Sequence, residues 1–192
     1  MSKFVIVLLA DGFEEIEAIT PVDYLRRLGI EVTTASIKKD LLVSGSHGIK
    51  IYADTSLETL KTEGRFCPSF WDGVVIPGGG GGADNLAAST QTQDFLKEMF
   101  SAGKLVAAIC ASPARVLSPL GLLKGKKFTC YPGEEKKVSS GSEWSEDRVV
   151  VDGNIITSRG PGTAGEFACA IGKNLLGQTE AEKLAEAVLL FR

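Results

Sequence analysis

Cys110 is the residue best placed for chemistry. It closes the apolar run Leu105–Ile109 and is followed by Ala111, Ser112 and Pro113. A thiol between a strand and a helix meets unpaired backbone N–H groups and the positive end of the helix dipole. Both favour the thiolate, the reactive form of cysteine. The small neighbours Ala108, Ala111 and Ser112 suit a sharp turn. The arrangement resembles a nucleophile elbow, although the G-x-S-x-G pattern is absent. The competing reading is a buried core cysteine, since free cysteine is among the most buried residue types. Position alone leaves both open.

A second chemical element precedes it in the chain. Residues 73–76 form a short apolar strand that ends in Pro77 and five glycines, 78–82. Glycine lets the backbone adopt positive φ and approach a ligand closely. The N–H groups of this run could hold an oxyanion next to Cys110. With Ala83 the run also satisfies G-x-G-x-x-A, but five consecutive glycines satisfy many patterns. The following strand ends in Cys110, where a dinucleotide site needs an acid for the ribose. A P-loop is excluded because no Gly-Lys-Ser/Thr follows. A tight turn without a ligand is the other reading.

Glu14, Glu15 and Glu17 stand at the start of the first helix, where the dipole favours acids. A carboxyl beside Cys110 acts in opposite senses according to its charge. Ionised, it raises the thiol pKa; kept neutral by burial, it donates a hydrogen bond to sulfur and lowers it. It could also shuttle a proton. His47, the only histidine, falls in a predicted hairpin turn and reads as a solvated turn residue. A Cys–His dyad would need it beside Cys110. Cys130 and Cys169 read as core residues, and Cys67 lies in a proline-containing loop. No His/Cys cluster with metal-ligand spacing is present, so no metal is expected.

The positioning elements alternate in type. Phe4–Leu9 is a continuous apolar run, as expected of a strand covered on both faces. Residues 15–28 carry Ile16, Ile19, Val22, Leu25 and Leu28 at helical spacing, with Gly29 as the stop. Residues 30–36 are a second strand, and residues 42–52 a hairpin around Ser44, Gly45, Ser46 and Gly48. Residues 56–61 are one helical turn. A helix over 90–102, a strand at Leu105–Ile109, a helix opened by Pro113 and a short strand at 128–131 follow. Residues 148–151 and 154–157 flank Asp152-Gly153, a hairpin signal. Helices at 163–176 and 180–189 complete the chain. This order predicts an open, mostly parallel α/β sheet with helices on both faces, binding ligands at the carboxyl ends of its strands. Three segments meet there: residues 10–17, 77–83 and 110–113.

The 192 residues, 44% hydrophobic and 23% charged, suit one domain with one sizeable core. A net charge of −3 without a basic cluster argues against nucleic acid as a partner. The apolar run after Lys3 is too short, and too soon followed by acids, for a signal peptide. No stretch is long enough to cross a membrane. Four widely spaced cysteines without a C-x-x-C pair point to free thiols in a reducing compartment.

At these residues the chain resembles the ThiJ/PfpI family, within it the branch of the Parkinson-disease-associated protein deglycase. The matching stretches are "DGFEEIEAITPVDYLRR-GI", "VVIPGG", "AAICASPA" and "TSRGPGT-GEFA", and they run along essentially the whole chain, residues 1–192. The resemblance implies a flavodoxin-like, doubly wound sheet, related to class I glutamine amidotransferase domains and usually homodimeric. It implies that Cys110 is the nucleophile and redox-sensitive thiol, and that Glu17 is a protonated acid bonded to its sulfur. The N–H groups of Gly78, Gly79 and Ala111 match the family's oxyanion pocket. The activities implied are cofactor-free conversion of methylglyoxal or glyoxal to a hydroxy acid, repair of early glycation adducts on proteins, and redox sensing or chaperone-like protection in the cytoplasm. Three positions depart from the pattern. Ser112 stands where close relatives carry glycine or alanine, Tyr131 where many carry histidine, and His47 where animal relatives carry arginine. Without the histidine, a protease reading falls.

Overall fold

The computed structural model describes residues 2–190. Its elements, in chain order, are β1 (Phe4–Leu9), α1 (Glu15–Arg27), β2 (Glu31–Ser36), β3 (Leu42–Ser44), β4 (Lys50–Tyr52), β5 (Thr55–Ser56), α2 (Leu57–Thr62), β6 (Gly73–Ile76), α3 (Gly80–Ala88), α4 (Thr90–Ser101), β7 (Leu105–Ile109), β8 (Lys127–Phe128), β9 (Glu143–Trp144), β10 (Val149–Asp152), β11 (Ile155–Ser158), α5 (Ala164–Leu176) and α6 (Gln178–Ala187). A π-helical turn, Pro113–Leu117, follows β7, and 3-10 turns occupy Glu134–Lys137 and Pro161–Thr163.

Seven strands form one sheet in the order β10-β11-β7-β6-β1-β2-β5. All neighbours are parallel except β10, which pairs antiparallel with β11. The central strands β1, β6 and β7 are apolar along almost their whole length because both of their faces are covered. Alternate residues feed opposite cores. Ile6, Leu8, Val74, Ile76, Val106 and Ala108 pack with Leu86, Phe95, Leu96 and Met99 of α3 and α4. Val5, Val7, Leu9, Val75, Ala107 and Ile109 pack with Ala18, Val22 and Leu25 of α1 and Phe167 and Ile171 of α5. This is the doubly wound architecture expected from the sequence.

From β1 the chain runs outward to β2, then returns to the other side of β1 for β6 and β7. The order therefore reverses between β1 and β6, where the loops after neighbouring strands diverge and leave a crevice. Ala10–Glu14, Pro77–Gly79, Cys110 and Arg159–Gly160 all leave the sheet at this carboxyl edge.

Several local expectations shift. The glycine run is a loop only as far as Gly79. From Gly80 it is the first turn of α3, because Gly79 takes φ +83° and caps a helix that the sequence reading omitted. The strand expected over 128–131 survives only as Lys127–Phe128, paired with β9 outside the main sheet. Thr129 and Tyr131 bond instead to Thr157 Oγ1 and the Cys110 carbonyl. The β10–β11 turn is Gly153–Asn154, one residue beyond the expected dipeptide, with Gly153 at φ +63°. Helix α1 buries Glu15 and Glu17, while Ile16 and Ile19 face outward, 53% and 42% exposed.

Candidate active site

Cys110 sits where β7 ends. Its N–H donates to the Ser158 carbonyl at 2.9 Å, prolonging the β7–β11 ladder, and its carbonyl accepts from Tyr131 N–H at 2.8 Å. Held from both sides, it takes φ +66°, a left-handed conformation that a side chain disfavours. Such strain persists where the surroundings over-determine it, and it gathers at functional sites. Ser112 fastens the elbow to the neighbouring loop. Its buried hydroxyl donates to the Pro77 carbonyl at 2.6 Å.

Helix α1 brings the acid. Glu14 caps it, with Oε2 accepting the Glu17 N–H at 2.8 Å, and Glu17 lies one turn in, fully buried. Glu17 Oε2 accepts the Gly78 N–H at 2.9 Å. Glu17 Oε1 is buried with no hydrogen-bond partner among the described residues, while the neighbouring Cys110 thiol pulls the carboxyl's pKa down. Gly78 lies between the two functional groups. A Cβ there would stand 2.5 Å from both Cys110 Cβ and Glu17 Oε2. Only a residue without a side chain lets acid and thiol approach.

Burial pushes Glu17 up to about 7, against the downward pull of the Cys110 thiol and the Gly78 N–H. Burial, with the Glu17 charge behind it, pushes Cys110 up to about 12, while the N–H groups of Gly79 and Ala111 pull it down. The low-pKa thiol expected from a helix dipole is not what the elbow provides. Only a five-residue π-helical turn follows, and the stabilising dipoles are two peptide N–H groups. These two effects do not outweigh burial while Glu17 is charged. When Glu17 takes the proton, its repulsion of the sulfur disappears.

Of the five residues proposed from sequence, the structure brings Cys110, Glu17, Gly79 and Ala111 together. Gly78 is present in a different role. Its N–H is committed to Glu17, so it orients the acid and does not face the space above the sulfur. Glu15 belongs to another group. Although burial alone would raise it, it is held down to about 2 by the His47 ring and by the N–H groups of His47 and Ile49. His47 Nδ1 lies 2.9 Å from Glu15 Oε2, so the histidine clamps the β3–β4 turn to α1. Glu14, Glu15 and His47 have ligand atoms within 4.8 Å of one another. Glu15 already accepts from Ser46 and His47, and this donor pattern is that of a hydrogen-bonded clamp.

Two features were not foreseen. Arg115 joins the π-helical turn to the Gly80 carbonyl, Asp84 and Glu134, so it locks the start of α3 against the elbow. Its signal was weak, a lone basic residue five positions after the cysteine. Arg159 and Gly160, after β11, line a cavity of about 320 Å³ with Tyr131, Arg148 and Thr163. A Cβ on Gly160 would lie 3.4 Å from the Tyr131 ring and 3.9 Å from Glu17 Oε1, so this cavity adjoins the acid.

Comparison with known proteins agrees with the fold. The DJ-1/PfpI family model matches residues 3–174. Protein dj-1beta of Drosophila melanogaster is 41% identical over 99% of this chain and 98% of its own length. A deglycase of Pyrococcus abyssi is 36% identical over 82% of this chain and 90% of its own. The solved structure of oxidized Toxoplasma gondii DJ-1 superimposes with a TM-score of 0.91 at 38% identity, covering 98% of each chain.

Proposed function

This chain belongs to the DJ-1/PfpI family, and we propose that within it Cys110 and Glu17 convert small α-oxoaldehydes such as methylglyoxal and glyoxal to hydroxy acids, or remove early glycation adducts, without a cofactor. The observation that carries this reading is the contact of a strained thiol with a buried acid that is pushed up to about 7. Glu17 takes the thiol proton as the sulfur adds to the aldehyde carbon, giving a hemithioacetal. The N–H groups of Gly79 and Ala111 receive the oxygen as charge develops on it. Glu17 passes the thiol proton on to the substrate, where it ends on the hydroxyl oxygen of the product, and, ionised again, carries the proton of the former aldehyde carbon to its neighbour through an enediol. Water cleaves the resulting thioester, releasing the hydroxy acid and restoring the thiol. The net change is addition of one water, with oxidation at one carbon and reduction at the next, so no outside oxidant is consumed. The Pyrococcus relative named a deglycase supports the removal of glycation adducts. Cys110→Ser and Glu17→Gln each abolish lactate formation from methylglyoxal; retained turnover in the cysteine variant overturns the mechanism.

A second reading, oxidation of Cys110 to a sulfinic acid as a peroxide sensor or stress-protective device, is favoured by its partial exposure and by the relative solved in an oxidized form. Selective gain of two oxygens at Cys110 after mild peroxide, with negligible aldehyde turnover, would favour it. The chain acts here as a single ThiJ/PfpI-type domain in the cytoplasm, a location supported by its free thiols. Ile16 and Ile19, with Ile49 and Tyr52 on the adjoining hairpin, leave an exposed apolar face suited to a homodimer.

A further inference from the structure

We infer that the cavity beside the elbow is an anion subsite, and that the preferred carbonyl substrate carries a carboxylate or phosphate group received by Arg159. This rests on the reading of Cys110 as nucleophile and specifies its substrate class.

Six arginines lie among the described residues, and five are spent on carboxylates: Arg26 on Asp54, Arg27 on Asp23, Arg65 on Glu63, Arg115 on Asp84 and Glu134, and Arg148 on Glu166. Arg159 has no such partner. Its one hydrogen bond runs from Nη1 to the Glu146 carbonyl at 2.9 Å, which neutralises no charge. A guanidinium offers five donors in a fork that matches carboxylate and phosphate oxygens. Arg159 is half-buried and lines the cavity, with donors beyond that one bond left unused.

The cavity also adjoins the elbow through its lining residues. Arg159 and Gly160 directly follow β11, whose last residue, Ser158, accepts from the Cys110 N–H. Tyr131, on the opposite wall, donates its own N–H to Cys110. At about 320 Å³ the space is at the small end of ligand pockets. It holds a short tail beyond a reacting carbonyl. Charge fixes the direction of that tail. Glu14 stands at the N-terminus of α1 on one side of the elbow, whereas Arg159 brings an unpaired positive charge to the cavity on the β11 side. A substrate with an aldehyde at one end and an anionic group at the other is therefore oriented in one sense.

Two alkylating reagents of nearly equal size test the inference without any turnover. Iodoacetate is anionic and iodoacetamide is neutral, so the ratio of their rates at Cys110 reads the field at the sulfur. Arg159→Gln lowers the iodoacetate-to-iodoacetamide ratio about fivefold or more, a change on the scale of one partly screened unit charge acting on the bound reagent. Arg159→Lys retains most of the ratio, and Arg27→Gln, the same charge change at a remote paired site, leaves it unchanged. A ratio in Arg159→Gln equal to that of the parent overturns the subsite. Inorganic phosphate and acetate are titrated separately, followed by the amide signals of Gly160 and Gly162. A saturable shift that disappears in Arg159→Gln supports the subsite, and the tighter anion identifies the tail. No saturable shift with either anion overturns it. Should the thiol be inert to both reagents, the nucleophile reading fails and the anion titration alone decides the subsite.

Discussion

Replacing Glu17 by glutamine should make the protein more stable above neutral pH while destroying its chemistry. The carboxyl is fully buried and moves from an ordinary 4.5 to about 7 on folding. The difference is 2.5 units, and each unit is about 1.36 kcal/mol, so the folded chain carries a penalty of up to about 3 kcal/mol once the acid is ionised. The sign follows from proton counts. Below about pH 4.5 the carboxyl is neutral in both states and the penalty is absent. Between 4.5 and 7 the unfolded chain has lost this proton and the folded chain keeps it, so stability falls as pH rises. Above 7 the folded carboxyl ionises too, and the full loss remains. Glutamine is neutral throughout. Its Oε1 can accept the Gly78 N–H and its Nε2 can face the sulfur. Urea denaturation at pH 4.5, 6 and 8 should therefore show the variant near parity at the lowest pH and ahead by about 1–3 kcal/mol at the highest, with exposed Glu31→Gln as the baseline for losing one charge. The measurement reads the first proton lost by the acid–thiol pair, whichever atom releases it. A difference that stays flat from pH 4.5 to 8 means the pair loses that proton near pH 5, and the account of a buried, proton-holding Glu17 is then wrong.

Three further outcomes follow from the same geometry. Cys110→Gly should be more stable than Cys110→Ala by about 1 kcal/mol in chemical denaturation, because φ +66° suits only glycine without strain; equal stabilities would show that the elbow is unstrained. Gly78→Ala should cost about 1–3 kcal/mol and abolish aldehyde turnover, since its methyl would stand 2.5 Å from both Cys110 Cβ and Glu17 Oε2; an active, stable variant refutes that packing. Aldehyde turnover should rise with pH through about 7, as Glu17 becomes able to accept the thiol proton, and a rising limb near 5 would point to a preformed thiolate instead.

The sheet was legible because its strands announce themselves. Residues 4–9, 73–76 and 105–109 are apolar on both alternating faces, and only a covered central strand needs that. The elbow was legible for a related reason, a cysteine at the last position of such a strand with small residues around it. What failed was local. The start of α3 could not be read because three glycines make a poor helical signal. Gly79 at φ +83° and the bond from the Gly82 N–H to the Gly12 carbonyl set that turn through a distant loop. The outward face of α1 was misassigned because Glu15 and Glu17 are buried by partners far along the chain, His47 and Gly78, so the isoleucines yield the inner face to acids. The unpaired state of Arg159 lies equally beyond a sequence, since it depends on which carboxylates the other arginines capture.

The raised values at Cys110 and Glu17 argue for a particular kind of nucleophile. Intrinsic reactivity of a thiolate falls as its pKa falls, so a sulfur stabilised in advance by strong dipoles would be abundant but blunt. Here the sulfur keeps its proton while Glu17 is ionised, because a second negative charge beside the carboxylate is unfavourable. The proton can leave only by moving to that same carboxyl, whose pull on it is matched to neutral pH. Transfer converts a neutral thiol and a charged acid into a charged sulfur and a neutral acid, with the net charge of the buried pair unchanged, so no further desolvation is required. As the sulfur adds to a carbonyl, the charge passes on to the substrate oxygen, toward the N–H groups of Gly79 and Ala111 that had faced the sulfur. The fold's contribution is to hold one proton and one negative charge among three neighbouring sites. Gly78, which keeps acid and thiol in touch by having no side chain, is as necessary to that arrangement as the cysteine itself.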